Sequence, residues 1–85
     1  MMPSVITVCG IEYPVQLVDA GEIDDKLGQF KTTPLSIKIR KDASFDIHMS
    51  TLLHEIIEAV NWQFEVELTH KQISILGTAL CLELA

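Results

Sequence analysis

The chain has 85 residues, 48% hydrophobic and 21% charged, which is the composition of a folded protein and too short for two domains with separate cores. Twelve acidic residues against six basic ones give a net charge of −6, which argues against nucleic acid because phosphates would be repelled. Without a membrane-length apolar run or a signal-peptide pattern, we expect one cytoplasmic domain over residues 1–85 that does not enter a membrane.

The N-terminal segment has the pattern of a β-hairpin. Residues 4–9 and 11–18 are rich in residues that favour strands, and they flank Gly10. Two antiparallel strands joined by a tight turn are therefore predicted. Pro14 indicates that the second strand lies at an edge of the sheet, because proline cannot donate a hydrogen bond to a neighbouring strand.

A loop and a third strand are predicted next. Residues 19–29 contain two glycines and four acidic residues without a sustained period, which is typical of a loop, with one helical turn around residues 23–27. Residues 36–40 alternate polar and apolar side chains. This alternation predicts a strand in which Ile37 and Ile39 face the core.

The hydrophobic period changes to that of a helix from Asp46 onward. Apolar residues recur at steps of three and four at Met49, Leu52, Leu53, Ile56, Ile57 and Val60. Asp46 or Ser44 is the expected N-cap, because a short side-chain oxygen can accept a free backbone N–H there. Asn61 is the expected left-handed C-cap.

A second helix is predicted after a capping box. Thr69 can cap the turn that follows, and Gln72 can reach back to it. The stripe expected to pack inward is Ile73, Leu76, Leu80 and Leu84, and Gly77 would allow close approach to the first helix. We therefore predict an α+β fold with a small antiparallel sheet of about three strands packed against two helices.

The polar side of the first helix contains the side chains that could bind a metal or transfer a proton. Thr51, His54, Glu55 and Glu58 lie on the side of the helix opposite its apolar residues. Because His54 and Glu58 are four positions apart, their side chains lie one above the other within reach of a common ion. Glu55 lies beside them.

The string from His54 to Glu58 resembles the zincin metallopeptidase helix, H-E-x-x-H, and departs from it at Glu58. The wider segment, residues 51–59, resembles the active helix of small zincin-like proteins found in bacteriophage genomes. We take the resemblance to cover residues 27–84, although only the core of residues 54–58 is specific.

The resemblance implies a minimal zinc-dependent peptidase of phage or prophage origin in a bacterial host. A third ligand would come from beyond the helix, and His70 is the only downstream histidine. His54, Glu58 and His70 would then bind Zn²⁺ with a fourth position open to water, and Glu55 would be the general base. Peptides or proteins are the implied substrates, with the strand around Ile37 aligning them by edge pairing. The carboxylate ligand implies modest activity.

The spacing of the third ligand constrains the fold. An unbroken helix would separate Glu58 from His70 by roughly 18 Å. The first helix is therefore expected to end at residues 61–63, with a turn through residues 64–68. A helix that reached Glu65 would leave His70 too distant.

Other interpretations of the same residues stay open. A glutamate in place of the second histidine is also what a degenerate site would show, so a non-enzymatic interaction protein or a homodimer on an inactive scaffold is the alternative. A purely structural zinc site is a further alternative. His70 could equally be a solvent-facing residue of a first helical turn, and His48 is expected to be a surface or capping residue.

Overall fold

A computed structural model describes residues 2–84, and the side chains of residues 2–82. It has the predicted α+β architecture, in which a four-stranded mixed sheet packs against two helices in the order β1-β2-β4-β3. The strands are β1 (Val5–Val8), β2 (Ile11–Val18), β3 (Gly28–Thr32) and β4 (Leu35–Arg40). The helices are α1 (Phe45–Phe64) and α2 (His70–Leu84). The fold class is confirmed, and the predicted strand count is short by one.

The predicted N-terminal hairpin is present. β1 and β2 pair antiparallel, with Val8 opposite Ile11 at the end of the ladder. Cys9 and Gly10 form the turn with φ values of 50° and 85°. Positive φ at both central residues gives a turn whose twist matches that of the strands, and glycine adopts it without steric cost.

The prediction that Pro14 lies in an edge strand is wrong, because β2 lies between β1 and β4. The backbone N–H of Val15 donates to Ser4 on the β1 side, so the nitrogen of Pro14 points the other way along an alternating strand. On that side the ladder with β4 begins only at Val15, opposite Ile37. Pro14 therefore costs the sheet no hydrogen bond.

The fourth strand, β3, lies in the segment predicted to be a loop. The helical turn there is a 3₁₀ turn over Ala20–Ile23, earlier than predicted, and β3 begins at Gly28. β3 has little sequence signal because Phe30 is its only large apolar residue. The Phe30 ring packs between Tyr13 and Trp62, with ring centroids 5.7 and 6.0 Å away. This tertiary contact stabilises a strand that local propensity does not specify.

The prediction that all strands run antiparallel is wrong for the central pair. β3 pairs antiparallel with β4 from Thr32 opposite Leu35 back to Gly28 opposite Ile39. β3 lies on the side of β4 that faces away from β2, and β2 pairs with β4 in parallel. β4 is therefore an interior strand, and β1 and β3 are the two sheet edges.

The core lies between the sheet and α1. Ile37 and Ile39 are fully buried, as their alternation predicts, and pack in one cluster with Tyr13, Leu52 and Ala59. Tyr13 is fully buried, and its hydroxyl accepts a hydrogen bond from the Gln63 side-chain amide at 2.6 Å. The core holds one face of α1 firmly against the strands.

The start of α1 is capped by one of the two predicted residues. Ser44 adopts an extended conformation, and its hydroxyl oxygen accepts a hydrogen bond from the backbone N–H of Ile47 at 3.3 Å. Asp46 lies in the first turn instead, where its negative charge favours the helix N-terminus.

The predicted inward stripe of α2 is partly wrong. Ile73 is buried, but Leu76 and Leu80 are each 43% exposed, and the side chain of Leu84 lies outside the described residues. Gly77, which is also buried, takes the inward position one turn after Ile73. The close approach at this glycine rotates the leucines away from α1.

Within residues 2–84, no helix is long and apolar enough to cross a membrane.

Candidate metal centre

The turn between the helices brings His70 back toward α1. Glu65 ends α1 in a left-handed conformation, and Glu67 also has a positive φ, of 65°. Asn61 holds the turn together: its backbone carbonyl accepts from Val66, and its side-chain oxygen accepts from the N–H of Leu68 at 2.8 Å. Two left-handed residues reverse the chain within five residues.

The predicted capping box at the start of α2 is present. The N–H of Gln72 donates to the Thr69 hydroxyl at 3.1 Å, and the Thr69 N–H donates to the Gln72 side chain at 2.8 Å. His70 is the first residue of α2 as a result.

The predicted end of α1 is wrong. The helix runs to Phe64 rather than ending at residues 61–63, and Asn61 is inside it instead of serving as the left-handed C-cap. The helix stops one residue short of Glu65, the length at which we expected His70 to be too distant. The left-handed residues Glu65 and Glu67 then make a sharp turn that brings His70 back.

The three predicted ligands lie together. One ligand atom from each of His54, Glu58 and His70 lies within 4.8 Å of the other two. The Nε2 atom of His54 is 3.9 Å from a carboxylate oxygen of Glu58, and the rings of His54 and His70 meet edge-on with centroids 5.1 Å apart. The first two share one face of α1, and the third comes from α2.

This arrangement fits a zinc ion in ligand type and number. Two imidazoles and one carboxylate form a catalytic type of ligand set, and a tetrahedral site with bonds of about 2.0–2.2 Å places its donors about 3.3–3.5 Å apart. The 3.9 Å between His54 and Glu58, and the 4.8 Å within which all three ligand atoms lie, are wider than this, so the side chains would have to close in on the ion. Among the side chains of residues 2–82 the group has three members, which leaves a fourth position for water.

The electrostatics of His54 suit metal binding. Burial lowers its pKa, the carboxylate of Glu58 raises it, and His70 lowers it again. Burial is the largest of these causes, so the neutral imidazole is favoured, and the neutral form is the one that coordinates a metal.

Glu55 is buried beside the ligands rather than solvated on a polar face. It is 5% exposed, because the sheet and α2 together cover the side of α1 that the sequence presents as polar. Burial, followed by the negative charge of Glu58, raises the pKa of the Glu55 carboxyl from 4.5 to about 8, against a smaller lowering by Lys26. A buried acid with a strongly raised pKa in a cleft is typical of a functional group.

Gly28 makes room for Glu55 at the start of β3. A Cβ atom at this position would lie 2.5 Å from the Thr51 methyl group, 2.9 Å from a Glu55 carboxylate oxygen and 3.3 Å from the Lys38 carbonyl oxygen. Any side chain at residue 28 would therefore displace the proposed base or push β3 away from α1. Sequence reasoning missed this role, although a glycine inside a strand indicates a close approach.

Gly28→Ala is expected to destabilise the protein by about 1–3 kcal/mol, because the added methyl group overpacks a tight contact. Urea denaturation of the metal-free protein measures this change. Gly21→Ala is the matched control, since a Cβ atom there meets nothing within 4 Å. Equal stability of the two variants would contradict the close contact.

A cleft of about 400 Å³ opens beside the ligands. It lies between the start of β3, α1 and α2, and its lining residues are Lys26, Leu27, Gly28, Ser50, Thr51, His54, Glu55, His70, Ser74 and Thr78. Apart from the predicted site residues and Thr51, the sequence did not single these out as cleft residues, because segments distant in the chain contribute them.

Two other residues are placed by the fold. His48 lies inside α1, and its Nε2 atom is 2.9 Å from the carbonyl oxygen of Arg40. It therefore has a structural contact outside the ligand group. Trp62 is 46% exposed, and its ring packs on Phe30 at the margin of the core.

No protein-family model matches the chain, and neither the curated proteins nor the solved structures contain a detectable match to it.

Proposed function

We propose that this domain is a minimal zinc-dependent peptidase. The observation that carries the proposal is the meeting of His54, Glu58 and His70 within 4.8 Å, beside the buried Glu55 and a cleft. Three ligands of this type with an open position distinguish a catalytic zinc site from a structural one, which needs a fourth protein ligand. The predicted phage or prophage origin and cytoplasmic location stay predictions.

The roles of the side chains follow from their positions. His54 and Glu58 would hold the ion from one face of α1, and His70 would hold it from α2. A zinc ion held there would supply a Lewis acid and lower the pKa of a water molecule in its fourth position. Glu55 accepts the proton of the attacking water at its carboxylate and passes it to the leaving amine. A positive ion held by the three ligands would favour the ionised form of Glu55.

The carboxylate ligand is expected to lower the rate of peptide cleavage. Glu58 leaves less net positive charge in the site than a histidine would, so the pKa of the water falls less. We therefore propose slow turnover rather than loss of the reaction.

The peptide-aligning strand is β3 rather than the strand around Ile37. Ile37 lies in β4, which has a hydrogen-bonded neighbour on both sides, so the predicted edge pairing there is wrong. β3 is the free edge next to the cleft, and its first residue, Gly28, contributes to the cleft wall. An extended peptide that added to β3 as a further strand would lie along the strand whose first residue lines the same cleft as Glu55.

Zinc binding is the first test. Purified protein saturated with Zn²⁺ and dialysed should hold one equivalent by elemental analysis. At a free zinc concentration about a thousandfold above Kd, the ion should stabilise the fold by about 4 kcal/mol. Glu58→Ala is expected to lose most of this increment, and Glu12→Ala, an exposed carboxylate on the far hairpin, should keep it. An absence of bound zinc in the unmodified protein would remove the proposal.

Peptide cleavage is the second test. The zinc-loaded protein should cleave members of an unstructured fluorogenic peptide library, and a chelator should stop the cleavage reversibly. Stoichiometric zinc without cleavage of any library member would leave a metal-binding domain and contradict the peptidase proposal.

A second candidate function is a non-enzymatic interaction scaffold that self-associates. It is favoured by the outer face of α2, where Ile75 is 58% exposed and Leu82 is 73% exposed with Ala79 between them. Because no charged residue lies between residues 72 and 82, this face could pack against its copy. Light scattering in chelator distinguishes the two candidates: a dimer that persists without metal, together with no cleavage, supports the scaffold.

A further inference from the structure

The two helices are in close contact at Gly77. A Cβ atom at this position would lie 3.3 Å from both the Cα and the backbone nitrogen of His54, and 3.5 Å from its Cβ. The two 3.3 Å contacts are tighter than ordinary van der Waals contacts, and backbone atoms of α1 cannot rotate aside as a long side chain can. A side chain at residue 77 would therefore force the two helices apart by a few tenths of an ångström at this point.

Gly77 shares a face of α2 with the third ligand. His70, Ile73 and Gly77 follow one another at steps of three and four, so all three face α1. Ile73 is 1% exposed between them. The separation of the helices at Gly77 therefore limits how near the imidazole of His70 can come to the ligands on α1.

The residue that packs against Gly77 is His54, which is one of the proposed metal ligands. The backbone of Gly77 lies against His54, and the ring of His54 lies 5.1 Å from the ring of His70. Widening the gap at this point separates the two imidazoles, while the spacing of His54 and Glu58 is maintained within α1. A displacement of α2 therefore weakens the contribution of His70 and leaves the other two ligands in place.

We propose that Gly77 is a positioning residue for the metal centre, because the absence of a side chain there lets α2 deliver His70 to His54 and Glu58. This inference rests on the proposed zinc site. Alanine is the better helix former, so α2 should still form in a Gly77→Ala variant, and the change acts on its distance from α1.

The test is the affinity for Zn²⁺, measured by competition with a chromophoric chelator. Gly77→Ala is expected to raise Kd about 10- to 100-fold, the range found when residues that orient metal ligands are replaced. Gly21→Ala makes the same chemical change in open space and should leave Kd unchanged. Ile73→Val trims the buried contact on the same face without adding bulk, and should lower stability while leaving Kd unchanged.

A double-mutant cycle with His70→Ala separates positioning from a general loss of stability. If Gly77 acts through His70, Gly77→Ala weakens zinc binding only when His70 is present. An equal weakening in the His70→Ala background would overturn the inference, as would unchanged zinc affinity of Gly77→Ala. Failure of the unmodified protein to bind zinc would instead overturn the proposed function.

Co²⁺ gives a readout that does not depend on the stability of the metal-free variant. In excess Co²⁺ the visible spectrum reports the number and type of ligands. The spectrum of Gly77→Ala should shift from that of the unmodified protein toward that of His70→Ala. A spectrum identical to that of the unmodified protein would contradict the positioning role.

Discussion

Glu55→Gln is expected to lower peptide cleavage by about 10²- to 10⁴-fold, the usual contribution of a general base. The substitution keeps the size of the side chain but removes the group that accepts the proton of the attacking water. Because Glu55 is outside the three-residue ligand group, zinc binding should stay stoichiometric. The variant therefore separates the proposed base from the proposed ligands.

The measurement is the rate of cleavage of one library peptide by the zinc-loaded protein, with zinc content determined on the same sample. Glu12→Gln is the matched control, because it makes the same change at an exposed position on the hairpin far from the site. Undiminished cleavage by a zinc-loaded Glu55→Gln protein would show that Glu55 is not the base.

The same substitution is expected to stabilise the metal-free protein at alkaline pH. Burial and the neighbouring Glu58 raise the pKa of the Glu55 carboxyl from 4.5 to about 8, with Lys26 acting in the opposite direction. The folded protein therefore retains a proton that the unfolded chain has released. Well above pH 8 the buried carboxylate costs up to about 5 kcal/mol of folding free energy, a cost that a neutral glutamine does not have.

The direction of the pH dependence follows from the raised pKa. Below pH 4.5 both states are protonated at Glu55, so the variant and the unmodified protein should have similar stability. From pH 4.5 to about 8 the unfolded state has lost a proton that the folded state holds, and the unmodified protein loses stability as the pH rises. Urea denaturation in chelator at pH 4.5, 6 and 8.5 measures the difference, and a pH-independent gap would contradict the burial of Glu55.

Several features could be predicted because they depend on residues close together in the chain. The helical period of α1 places His54 and Glu58 on one face, whatever the rest of the fold does. The capping box of Thr69 and Gln72 likewise involves residues three positions apart. Such features depend on local geometry, and the structure contains both.

The end of α1 shows where local reasoning fails. Asn61 has the residue type of a left-handed C-cap, yet Glu65 takes that conformation. The Asn61 side chain instead accepts a hydrogen bond from the N–H of Leu68. The choice depends on where α2 packs. A glutamate with positive φ has no sequence signal of its own.

Strand β3 and the burial of Glu55 were not predicted, and both for the same reason. Phe30 stabilises β3 through Tyr13 and Trp62, which are distant in the sequence. The polar pattern of α1 does not indicate that Glu55 is buried, whereas in the fold Gly28 lets β3 cover it. In both cases contacts between distant segments outweigh the local pattern.

By itself, the sequence determined the α+β class, the hairpin, the two helices and the four-residue spacing of His54 and Glu58, because periodicity and capping operate over a few neighbouring residues. Only the tertiary structure decided that His70 meets that pair, that β3 rather than β4 is the free edge, and that Glu55 is buried. Those outcomes depend on how closely α1 approaches its neighbours. The close approaches are made at Gly28 and Gly77. The effect of a missing side chain at these positions can be inferred only once the position of the neighbouring segment is known.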